Sequence, residues 1–84
     1  MEQHTSRLAV IAIVVEDTSK AAELNELLHV YAEYIIGRMG IPCTERGVSL
    51  ISVAMDAPGD AISALTGKLG RIEGLSVKTA YSKI

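Results

Sequence analysis

Residues 58–81, PGDAISALTGKLGRIEGLSVKTAY, join a helix pattern to a strand pattern with no room for a loop between them. Ile62, Leu65, Leu69 and Ile72 recur at spacings of three and four, the period of one helix face. Gly74 ends that period, and Leu75, Val77 and Tyr81 then alternate as strand residues do. A helix running straight into a strand makes the earlier part of the chain its packing partner.

That earlier part supplies matching elements. LAVIAIVV, residues 8–15, is continuously apolar and rich in β-branched residues, as in a strand covered on both faces. Asp17, Thr18 and Ser19 can cap a following helix, with Thr18 the expected cap. The stripe Ala21, Leu24, Leu28, Tyr31, Ile35 keeps helical spacing and predicts one long amphipathic helix, ended by Gly37 or Gly40 and barred from continuing by Pro42. Residues 41–45 read as a second strand, placed at a sheet edge by Pro42. After a turn at Arg46-Gly47, VSLISVAM sets Val48, Leu50, Ser52 and Ala54 on one face and Ser49, Ile51, Val53 and Met55 on the other. Residues 56–60 are expected as the turn into the second helix.

The order β, α, β, β, α, β is that of an α+β, ferredoxin-like fold: a four-stranded antiparallel sheet with two helices on one face. Its first and third strands are central, and here both are apolar on both sides. The face away from the helices is therefore expected to be apolar and to demand a partner. The 84 residues form one expected domain, 7–84, preceded by a disordered arm, 1–6, that contains His4.

At this length a chain hides only roughly 60–65% of its unfolded surface, yet 49% of its residues are hydrophobic and 21% charged. That surplus again points to a homo-oligomer, dimer or tetramer, or to a protein partner. A net charge of −2 with mixed signs, and no Phe or Trp, argue against direct nucleic-acid binding by this chain alone. The apolar run 8–15 is too short to cross a bilayer and no cleavage site follows it, so no membrane association is expected. One cysteine, Cys43, cannot make an intramolecular disulfide, which leaves the cytoplasm as the expected compartment.

Chemistry-bearing residues are sparse. His29 and Cys43 are the candidate soft metal ligands beyond the arm, and Glu33 lies one helical turn after His29. The chain lacks CxxC, HxH and HExxH, so these three could form a metal site only across subunits. An ordinary strand thiol and a helix-surface imidazole are the simpler reading. Gly67 and Gly70 interrupt a helix at a cost of about 1 kcal/mol each. Either a ligand or backbone approaches there, with Ser63, Thr66 and Lys68 as its polar contacts, or helix and sheet pack tightly. TGKLG is no phosphate loop, because GxxxxGK[ST] is absent. Asp17, Glu45, Asp56 and Asp60 fall at turns and strand ends where carboxylates cap helices and aid solubility, and no nucleophile is paired with a base. No enzymatic activity is expected.

In VVED at 14–17, NELLH at 25–29, RMGIP at 38–42 and above all SALTGKLGRIEGLSVKT at 63–79, the chain resembles the iron-only hydrogenase system regulators. That family is similar in fold to the C-terminal regulatory domain of the nickel-responsive repressor and to ACT domains. The resemblance implies an oligomeric, ligand- or metal-sensing regulatory module, linked to hydrogenase maturation or expression and to transcriptional regulation without DNA contact of its own. No cofactor is required; a transition metal or a small effector is the candidate ligand. A structural protein-interaction domain without a ligand is the first alternative. A small acyl-phosphate hydrolase is the second, disfavoured because VVEDTS is acidic where such an enzyme needs an anion-cradling loop.

Overall fold

The computed structural model describes residues 6–84. Its elements are β1 (Ser6–Val15), α1 (Ala21–Val30), β2 (Ile35–Cys43), β3 (Val48–Pro58), α2 (Gly59–Gly70) and β4 (Leu75–Tyr81). The strands form one antiparallel sheet in the order β2-β3-β1-β4, so β1 and β3 are central. This is the ferredoxin-like α+β fold that the order of periods implied. The arm expected at the start of the chain lies outside the described residues up to position 5, whereas Ser6 already pairs with Pro58 in β1.

Alternation along the central strands divides the sheet into two faces. Ala9, Ile11, Ile13 and Val15 of β1 and Val53, Met55 and Ala57 of β3 point inward and are buried. Onto them pack Leu24 and Leu28 of α1 and Ile62, Leu65 and Leu69 of α2, all at most 2% exposed. Both helices therefore cover the same face. The core is aliphatic, with Tyr31 its buried aromatic residue.

Gly74 joins the two halves. Its φ of 89° is a conformation that side-chain-bearing residues rarely adopt, and its carbonyl accepts from the Glu16 amide at 2.7 Å and the Asp17 amide at 3.1 Å. A Cβ there would lie 2.5 Å from the Asp17 Cβ. Glycine is thus required where the α2–β4 turn meets the end of β1.

The largest departure from the sequence reading lies between residues 31 and 43. The apolar stripe to Ile35 predicts a long helix, but α1 stops at Val30, a short helical turn occupies Ala32–Tyr34, and β2 begins at Ile35. Val30, Tyr31, Tyr34, Ile35 and Ile36 are β-branched or aromatic and favour extended backbone. Pairing with β3 offers that backbone a full ladder. Gly37, Gly40 and Pro42 are consequently strand residues, not helix terminators. The register slips between Ile35 and Gly37, leaving Ile36 as the extra residue of a bulge. Pro42 does sit on an edge strand, where its missing amide is tolerated.

Two smaller corrections concern boundaries. Asp17, not Thr18, caps the turn before α1, its carboxylate accepting from the Ser19 amide at 3.0 Å and the Ser19 hydroxyl at 2.6 Å. β3 runs on to Pro58 and α2 starts at Gly59, so residues 56–58 continue the strand instead of forming a turn.

Candidate functional site

Two surfaces of this architecture bear on function. The first is the sheet face away from the helices. Cross-strand partners share a face, so Val10 lies beside Ala54 and Ala80, Val14 beside Leu50 and Ser76, and Ile41 beside Leu50. Leu8, Val10, Met39, Ile41 and Leu50, exposed by 42–59%, make this face apolar. Lys78 and Ser76 of β4 bound it on one side.

The second surface is a groove on the helix side, between α1 and β2. Arg38, Gly40 and Pro42 are the inward-facing residues of β2, opposite Val53, Ile51 and Ser49. None offers aliphatic bulk for a helix to pack on, and α1 rests over the centre of the sheet. The gap that results is a cleft of about 290 Å³. Its apolar walls include Val15, Leu24 and Ile51; Thr18, Asn25, Arg38 and Ser49 supply its polar groups. Arg38 donates a hydrogen bond through Nη2 to Oδ1 of Asn25 on α1, bridging the groove. Beyond that bridge the depression continues past Leu28, His29 and Ile35.

The candidate ligand residues of α2 point in different directions. Ser63 Oγ lies 3.5 Å from the Tyr81 hydroxyl and Thr66 Oγ1 2.9 Å from Thr79 Oγ1, so both face β4. Tyr81 also carries the Arg7 guanidinium over its ring at 4.2 Å. Lys68 turns the other way and donates to the Tyr31 hydroxyl at 3.0 Å, beside a shallow depression shared with Glu23 and Glu26. A Cβ at Gly67 would meet the Arg71 guanidinium at an ordinary 3.7 Å, and one at Gly70 would meet nothing within 4 Å. Among the described residues neither glycine answers to a close approach.

The candidate metal ligands are likewise apart. His29 shares a depression with Ile35, at the start of β2, whereas Cys43 is its last residue. Eight strand steps of about 3.3 Å separate those ends by roughly 26 Å. Glu33 is exposed on the short turn after α1. Among the described residues, no three His, Cys, Asp or Glu side chains are grouped to hold a metal ion. No helix among them is long and apolar enough to cross a membrane.

Arg38, Asn25 and Gly40 did not stand out as site residues in the sequence. The signal that could have found them is the break in β-hydrophobicity at IIGRMGIP, where an arginine and two glycines occupy a stretch bounded by strong strand formers.

Comparison with known proteins agrees with the fold. Residues 7–79 match the family described as "TM1266-like: Iron-only hydrogenase system regulator, putative". The uncharacterized protein TM1266 from Thermotoga maritima is 43% identical, with a TM-score of 0.88 over 93% of this chain and 99% of that one. The C-terminal domain of the MgtC protein from Mycobacterium tuberculosis has a TM-score of 0.72 over 99% of this chain and 95% of that domain; at 9% identity it shares the fold alone. No curated protein matches significantly. On the extent of the match and the identity to TM1266, this chain belongs to the TM1266-like family.

Proposed function

We propose that the domain is a non-enzymatic, homo-oligomeric regulatory module of an iron-only hydrogenase system, in which the open sheet face packs against another copy. The observation that carries this reading is the apolar character of that face on both central strands. Four strands spaced about 4.8 Å apart and roughly 25 Å long present near 500 Å² of flat area. Two copies then cover roughly 1,000 Å², the threshold of a specific interface. The family's description supplies the system, and a regulatory role needs a second state. A ligand that contacts one packing of the subunits better than another shifts the population toward it. A transition metal held by His29, Glu33 and Cys43 from different subunits is one such ligand, and a small effector is another.

Native mass spectrometry of protein purified without chelator tests this directly. The expected result is a dimer or tetramer that the double substitution Val10→Glu and Leu50→Glu converts to a folded monomer, judged by circular dichroism. A wild-type monomer at micromolar concentration would overturn the assembly and leave the same face to a different protein.

A further inference from the structure

We propose that the groove between α1 and β2 is a binding site for a small aliphatic carboxylate, held at Arg38 and Asn25 with its hydrocarbon body in the cleft beside Gly40. The proposal gives an effector class to the regulatory reading, on which its biological purpose rests. The site itself lies within one chain and does not require assembly.

Gly40 lines the cleft and, having no side chain, leaves part of it open. Glycine weakens a strand interior by roughly 0.5–1 kcal/mol relative to alanine, and here the backbone does not demand it: positive φ among glycines is confined to Gly47 and Gly74. Nor does crowding demand it, since a Cβ at Gly40 would meet Ile51 Cγ1 at an ordinary 3.9 Å. A glycine that neither conformation nor packing requires leaves space, and here that space adjoins the cleft of about 290 Å³. The size falls at the lower end of small-molecule sites, roughly 300 Å³ and above.

The charge at its rim selects the ligand. Arg38 bonds to the neutral Asn25, and among the described residues no acidic side chain lines either half of the groove. A planar guanidinium can grip a carboxylate with two parallel N–H donors, and Asn25, through its amide nitrogen, can donate to the same group. His29, one turn beyond Asn25 on α1, lies in the adjoining depression and adds a further donor on that side. Toward the other side the walls turn apolar, with Leu24 and Ile51 buried or half-buried behind them. An anion at the rim and a short hydrocarbon chain inward is the chemistry this arrangement fits.

The test is a two-dimensional amide NMR titration with isocaproate, and with isocaproamide as its uncharged counterpart. Isocaproate is expected to give saturable shifts at residues 21–25 and 38–41, with isocaproamide weaker by roughly tenfold or more. Arg38→Met is expected to weaken isocaproate by a similar factor. Gly40→Val is expected to abolish binding by filling the cleft while the protein remains folded. Equal binding of acid and amide, indifference to either substitution, or no saturable shift by about 10 mM, where even a millimolar site is filled, would overturn the proposal. Repeating the titration on the Val10→Glu, Leu50→Glu protein separates the two readings: a monomer that still binds isocaproate shows that the groove needs no assembly, and a wild-type monomer that binds it overturns the assembly alone.

Discussion

Gly74 shows how one missing side chain can hold two halves of a domain together. The residue combines a φ of 89° with a backbone approach that leaves 2.5 Å to the Asp17 Cβ. Gly74→Ala faces both the conformational penalty and the overlap, and is expected to cost at least about 2 kcal/mol in urea unfolding. That is a large share of the roughly 4–12 kcal/mol that a chain of this size has; a loss under about 0.5 kcal/mol, the range of ordinary surface substitutions, would contradict the account. Its neighbour Asp17 is a fully exposed cap whose carboxyl is held below its ordinary value of 3.8, first by the Ser19 hydroxyl and then by the Ser19 amide. A depressed folded value means that the cap's contribution is present above pH 3.8 and disappears as pH falls through the lower folded midpoint. Carbon-detected NMR titration should place the Asp17 midpoint below 3.8 in the wild type and raise it in Ser19→Ala; an unchanged midpoint would remove the hydroxyl from the explanation. Asp17 stood in the sequence among three capping candidates, but the choice among them depends on where the turn begins.

At the scale of elements, α2 and β4 were legible because each has one buried face and one wet one. Ile62, Leu65 and Leu69 are fully buried, and the glycine between helix and strand marks the change of period. β2 was misplaced for the opposite reason: nearly every residue of it is exposed, so no alternation betrays it. Tyr31 and Ile35 happen to extend the stripe of α1, and periodicity without burial on a second element cannot tell a helix turn from a strand start. Gly67 and Gly70 are a separate matter. Neither has positive φ nor, among the described residues, a neighbour that a methyl group would strike. Gly67→Ala and Gly70→Ala are each expected to raise stability, by up to about 1 kcal/mol for the interior position. Thermal unfolding at a concentration that keeps assembly constant measures this, and destabilisation by either would show that a ligand or a second subunit comes close to that helix surface.

At the scale of the whole molecule, both faces of the sheet follow from the same alternation, and only one is covered by the described residues. If the second copy completes the fold, the melting temperature should rise with protein concentration, and that dependence should vanish in the Val10→Glu, Leu50→Glu protein. Sequence alone determined the order of elements, the central position of β1 and β3, the buried stripe of α2 and the apolar open face, because each is a consequence of local period and hydrophobicity. Only the tertiary structure decided where α1 gives way to β2. It alone set Arg38 beside Asn25 and turned Ser63 and Thr66 away from Lys68. Those relations depend on strand register and on the seat of a helix across the sheet, which couple residues far apart in the chain through packing that no local pattern records.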